Sequence, residues 1–171
     1  IGSQTFNILG NKDVFLSAIY DSLRDQPDIA IVVKPHPLEP TKYHEEFASR
    51  LNIKPLILPR NVDIQEAIKC SSVLVTSYST VAIEAMMAGR PVVTINLSGF
   101  SDIVPYAGEG ASLGINKVDK ILPGIRSVLD DPTFRNALLL GARRYLDREF
   151  ALCDGESTSR LIETLKMNIH S

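Results

Sequence analysis

The stretch Ser71-Ser72-Val73-Leu74-Val75-Thr76-Ser77-Tyr78-Ser79-Thr80, followed directly by Val81-Ala82-Ile83-Glu84-Ala85-Met86-Met87-Ala88-Gly89-Arg90-Pro91, decides how this chain is read. Its first part is a β-branched and aliphatic run, the composition of a strand covered on both faces. Its second part is a set of helix formers that stops at Gly89 and Pro91. Between them, Ser77, Ser79 and Thr80 supply short hydroxyls suited to a helix N-terminus. The predicted strand, turn and helix leave the N–H groups of the first helical turn unpaired and set the positive end of the helix dipole at the turn. With the hydroxyls these groups make a cradle for an anion such as a diphosphate. A Ser or Thr that does no more than cap the helix accounts for the same residues.

The same alternation runs outward in both directions. Further short apolar runs fall at 29–33, 56–58 and Val92–Ile95, a weaker one at 111–115, and a remnant of a first strand at 5–9. Helical spacing marks Phe15, Ala18, Ile19 and Leu23, then Tyr43, Phe47 and Leu51, then Ile64, Ala67 and Ile68. Strand and helix in turn, with crossovers of this length, predict right-handed βαβ units. The fold class is therefore α/β, a Rossmann-like doubly wound parallel sheet with helices on both faces. The chain then ends in three predicted helices, at 118–129, 132–150 and 156–169, the second opened by Pro132 after Asp131.

Composition bounds the rest. The chain has 171 residues, which suits a single domain over 1–171, with 44% hydrophobic and 22% charged residues. Eighteen basic and twenty acidic side chains leave a net charge of −2, so no global field draws it to nucleic acid, and an anion must be held locally. Cys70 and Cys153 form no C-x-x-C, which points away from metal and redox motifs and towards buried free thiols. No run approaches the ~18 apolar residues of a membrane span, and the N-terminus lacks a signal-peptide layout, so a cytoplasmic location is expected. The opening residue is Ile1, not Met, which suggests a part excised from something longer.

Ligands of open α/β sheets bind at the carboxyl ends of the strands, and three more segments lie there. In Val33-Lys34-Pro35-His36-Pro37 two prolines stiffen the loop around a histidine, and Lys34 and His36 can meet phosphate or a leaving-group oxygen. An ordinary loop histidine bonded to backbone is the plainer alternative. Pro59-Arg60-Asn61-Val62-Asp63 joins a strand to a helix and offers main-chain groups to a base, or simply a turn with Asn61 or Asp63 as cap. Asn96-Leu97-Ser98-Gly99-Phe100-Ser101-Asp102 follows a strand at the same edge. Glu84, one helical turn beyond the cradle, suits ribose hydroxyls as an acceptor, or else a surface ion pair. His44 and His170 are expected to be solvated. Walker A, G-x-G-x-x-G, H-E-x-x-H and G-x-S-x-G motifs do not occur.

Lys34-Pro35-His36-Pro37, the Thr76 to Pro91 stretch and Asp154-Gly155, in this order, resemble the C-terminal, nucleotide-binding half of GT-B glycosyltransferases. The nearest patterns are the surface and capsule polysaccharide transferases, the CDP-glycerol glycerophosphotransferases and the UDP-GlcNAc 2-epimerases. The resemblance runs from Gly2-Ser3-Gln4 to the last helix. It implies that Glu84 holds the ribose, matching the second acid of a two-Glu motif whose first acid falls on Thr76, a departure from the subgroup that carries both.

It further implies that Gln4, Ser77, Ser79 and Thr80 bind nucleotide and phosphate, that the backbone around Val62 receives the base, and that His36 and Lys34 act at the donor phosphates as catalytic residues. No cofactor or metal is implied. A nucleotide diphosphate sugar, UDP foremost, is the substrate, and a surface polysaccharide or glycolipid precursor is the acceptor. The implied partner is an N-terminal acceptor-binding half, through which the protein would meet the inner face of the membrane. The donor half alone would be inactive. An epimerase-like or glycerophosphotransferase domain and a non-catalytic nucleotide-binding module are the alternatives.

Overall fold

The computed structural model describes residues 12–150 and 155–169. Gln4, the strand expected at 5–9, Cys153, Asp154 and His170 lie outside them. The order is helix α1 (Lys12–Leu23), strand β1 (Val32–Val33), α2 (Thr41–Arg50), β2 (Leu56–Ile57), α3 (Ile64–Lys69), β3 (Leu74–Thr76), α4 (Val81–Met87), β4 (Val92–Ile95) and β5 (Leu113–Ile115). A short 3-10 turn (Val118–Lys120) then leads into α5 (Ile121–Asp130), α6 (Pro132–Glu149) and α7 (Ser157–Ile169). The alternation read from the sequence is therefore present.

All strand pairings are parallel, as βαβ connections require. Among the described residues they form two sheets where one was expected: β1 beside β2, and β3-β4-β5. The strands are also shorter than the apolar runs. Ile29 is drawn into a turn by its N–H bond to Gln26 O, and the β1–β2 ladder begins only where Leu56 N–H reaches Ile31 O at 2.9 Å.

Helices cover both faces of the three-stranded sheet, and β4 shows why. All four of its residues are buried, Val93 and Ile95 against a core built with α1, α2 and α5, Val92 against a second core built with α3, α4 and α6. Period-two alternation therefore divides one strand between two cores. Val33 of β1 and Val75 of β3 pack against the same first core, which joins the two sheets.

Local chemistry sets the helix ends. Asp63 Oδ1 accepts the Gln65 N–H at 2.9 Å to start α3, and Asp131 accepts from Thr133 and Phe134 to start α6, with Pro132 at its first position. The chain leaves α4 through Gly89 at φ +66°, a conformation natural to glycine. α6 then passes over the 105–110 turn so closely that a Cβ on Gly141 would stand 1.9 Å from the Gly110 carbonyl oxygen.

Two burial expectations are corrected. Cys70 is exposed, because it ends α3 at the surface and does not face a core. His44 is buried, 4% exposed, because α2 turns it inward beside Phe47 and Ala48, where Glu39 meets it.

Candidate functional site

β3 delivers Thr76 and Ser77 to the head of α4, both buried. Ser79 caps that helix, its Oγ accepting the Val81 N–H at 3.2 Å, while Thr80 makes no side-chain cap. The N–H groups of Ala82, Ile83 and Glu84 are also taken, by the carbonyls of Ser79 and Thr80. The first-turn donors expected to face an anion are thus satisfied internally. The donors left for an anion are one step earlier, in the 77–80 turn itself. Thr76, only 2% exposed, carries a buried hydroxyl with no hydrogen-bond partner, an unpaired polar group at the mouth of the turn.

Glu84 is half-buried and its carboxylate accepts a hydrogen bond from the Gln65 side-chain amide. Its partner is an amide of α3 and not a surface cation, so α4 is linked to the helix that Asp63 starts. Val62 is half-buried with its N–H bonded to Pro59 O at 3.1 Å.

Lys34 and Arg60 stitch the neighbouring loops together. Lys34 Nζ donates to Pro35 O and to Arg60 O, each at 3.1 Å, and Arg60 Nη1 donates to Pro37 O at 3.3 Å. An ammonium has three N–H donors, so one remains. His36 Nδ1 accepts the Leu38 N–H at 3.2 Å, which in the neutral ring places the proton on Nε2 as an outward donor. The structure thus brings Lys34, His36 and the 59–63 loop together, and through Gln65 connects them to Glu84 and the cradle.

Sequence reasoning missed what anchors the 34–39 loop. Glu39, 6% exposed, accepts from Lys12 Nζ at 3.2 Å and pairs with His44 Nε2 at 3.1 Å. Burial alone would push its carboxyl up, but the hydrogen bonds from His44 and Lys12, with the charge of Lys12, outweigh this and hold it at about 2. Lys12 Nζ also lies 3.7 Å from the centre of the Tyr43 ring, and the Tyr43 hydroxyl donates to Asp13. Burial, reinforced by that bond, pushes the Tyr43 phenol up. Only the charged pattern Lys12, Asp13, Glu39 hinted at this cluster, and those residues are far apart in sequence.

On the other side of the cradle, Tyr78 meets the 96–102 loop. Burial pushes its phenol up and the charge of Asp102 adds to this, and its hydroxyl is buried with no hydrogen-bond partner. That loop is organised around Asn96, whose amide donates to Phe100 O and Asp102 Oδ1, both at 2.8 Å, and whose carbonyl accepts from Ser98. Among the described residues, no three His, Cys, Asp or Glu side chains converge to hold a metal ion, and no helix is long and apolar enough to cross a membrane.

Parallel strands with helices on both faces, and polar loops gathered at their carboxyl ends, define a Rossmann-like α/β domain. Residues 7–131 match the family model described as glycosyl transferases group 1, and the chain belongs to that family, with the fold of the C-terminal half of GT-B enzymes. Over 73 residues it is 36% identical to glycogen synthases from two strains of Mycobacterium tuberculosis, CDC 1551 / Oshkosh and H37Rv. Each match covers 43% of this chain and 18% of the relative, so the chain spans a small part of those proteins. Its fold is also similar to a solved structure described as an S. aureus MnaA–UDP co-structure, with TM-score 0.53 and 17% identity over 81% of this chain and 40% of that one.

Proposed function

We propose that this domain binds the donor of a glycosyl transfer, a sugar carried on a nucleoside diphosphate with UDP as the expected nucleotide, and is one half of a two-half enzyme. The observation that carries the reading is the continuous set of contacts along the carboxyl edge. Lys34 and Arg60 tie two loops, Asp63 and Gln65 continue from them, and Gln65 meets Glu84 behind the cradle. A ligand with a base, a ribose and a diphosphate needs such a set of polar groups in that order.

In this reading the base lies against the main chain at Val62, and Glu84 accepts from the ribose hydroxyls. The 77–80 turn donates to the phosphates with Ser77, Ser79 and Thr80. As the bond from the anomeric carbon to the phosphate oxygen breaks, negative charge grows on the departing diphosphate. The turn N–H groups, the third N–H of Lys34 and the Nε2 proton of His36 stabilise it, fixed donors that need no reorganisation and no metal ion. Gln4 belongs to the same binding set.

The acceptor, a cell-envelope polysaccharide or glycolipid precursor, and any base that activates it would come from the other half. Transfer by this domain alone is therefore not expected. The same reading puts the enzyme in the cytoplasm, with any membrane contact made through the other half.

The test is a thermal-shift screen of the chain against UDP, CDP and GDP and their sugars. One diphosphate should raise Tm, with the gain lost in Glu84→Ala and Ser79→Ala. Failure of every nucleotide at millimolar concentration would overturn the reading.

A further inference from the structure

The loop that carries His36 is fixed on both sides by buried groups, while His36 itself stays half-buried. On one side Pro35 is fully buried, and Lys34 Nζ donates to its carbonyl and across to Arg60 O. On the other, the Glu39 N–H donates to His36 O at 2.8 Å and closes a turn over residues 36–39. Inside that turn the Leu38 N–H donates to His36 Nδ1 at 3.2 Å. Leu38 is 84% exposed, so packing of the tip does not keep the turn in shape.

The Glu39 side chain does. Its buried carboxylate is gripped from two helices, Oε1 by Lys12 of α1 at 3.2 Å and Oε2 by His44 of α2 at 3.1 Å. Swinging the side chain away breaks both bonds. An apolar side chain would fill a buried position at a lower desolvation cost, and a buried ion pair adds little net stability over one. The best-attested use of such a pair is to impose one geometry.

We propose that Glu39 is a positioning residue for His36: clamped between α1 and α2, it fixes the 36–39 turn, the turn holds the Leu38 N–H on His36 Nδ1, and the imidazole proton is thereby kept on Nε2. A neutral imidazole carries its proton on either nitrogen, and the hydrogen bond made by one decides the state of the other. The use of that proton on a diphosphate rests on the nucleotide reading above. The contacts that set it do not.

Two measurements on the full chain test this. A long-range proton–nitrogen NMR spectrum at about pH 8, where an ordinary imidazole is neutral, reads the His36 ring, assigned by its loss in His36→Ala. The natural chain should show one tautomer, protonated on Nε2, and Glu39→Ala a ring averaged between the two tautomers. Lys12→Met, at a half-buried position that leaves the carboxylate to His44 alone, is the second variant. A ring unchanged in Glu39→Ala, or in Lys12→Met if Glu39→Ala does not fold, overturns the positioning role whether or not any nucleotide binds.

Titration calorimetry with UDP separates a role through His36 from a general loss of stability. His36→Ala, Glu39→Ala and the double variant should each bind UDP about fivefold more weakly than the natural chain, the effect of one hydrogen bond. Glu39→Gln, whose amide carbonyl still accepts from Lys12, should recover most of the loss. Multiplied effects, about 25-fold in the double variant, or full affinity in either single alanine variant, overturn the role. Failure of UDP to bind even the natural chain removes the nucleotide reading, and the ring measurement alone then decides the positioning.

Discussion

The Glu84 carboxylate accepts a hydrogen bond from the Gln65 amide, so the helix behind the cradle is joined to the helix that begins at the base loop. Glu84→Ala should leave the fold about 1 kcal/mol weaker, the worth of one such bond, and should abolish stabilisation by UDP. Gln65→Ala keeps the carboxylate and frees it, so UDP affinity should fall only severalfold. Thermal shifts with and without UDP read both effects. A full UDP shift in Glu84→Ala would contradict the assigned role.

Ser79 and Thr80 look interchangeable as caps, yet only Ser79 bonds a helix N–H. Ser79→Ala should cost about 1 kcal/mol in urea unfolding. Thr80→Ala should stay within ~0.5 kcal/mol, as expected of an exposed side chain free of that duty. The opposite order would show that the cap is misassigned.

Glu39 makes stability depend on acid. Its carboxyl is lowered from 4.5 in the free side chain to about 2 in the fold. A depressed carboxyl contributes stability that is present above its unfolded value and lost as pH falls through its folded one. The window is therefore about pH 4.5 down to about 2, and the loss is of the order of 3 kcal/mol. Urea midpoints measured across that window should fall more steeply in the natural chain than in Glu39→Gln. Parallel curves would remove Glu39 from the account.

Gly141→Ala puts a methyl group 1.9 Å from a main-chain oxygen of Gly110, which cannot swing aside. The cost should be about 3 kcal/mol as α6 is levered off the turn. Asn136→Ala, exposed on the same helix, should change stability by no more than ~0.5 kcal/mol. Chemical denaturation of the two variants makes the comparison.

Local patterns carried much of the fold. β-branched runs between amphipathic helices are readable because burial on two faces leaves few polar residues, and Asp131-Pro132 marks a helix start through chemistry confined to adjacent residues. Strand length was less legible, since a ladder ends where the partner chain diverges. Burial of His44 and exposure of Cys70 escaped the reading for a related reason. Each depends on what stands opposite, Glu39 in one case and solvent in the other.

The sequence by itself determined the α/β alternation, the hydroxyl-rich turn between β3 and α4, and the order of the polar loops along one edge, because each follows from side-chain period and local capping. Tertiary structure alone decided which groups are spent and which remain. It committed the first-turn N–H groups of α4 to Ser79 and Thr80, used two donors of Lys34 to tie the base loop, paired Glu84 with Gln65, and buried Glu39 between Lys12 and His44. Those outcomes require partners from distant parts of the chain to arrive within hydrogen-bond distance, and no local pattern encodes that distance.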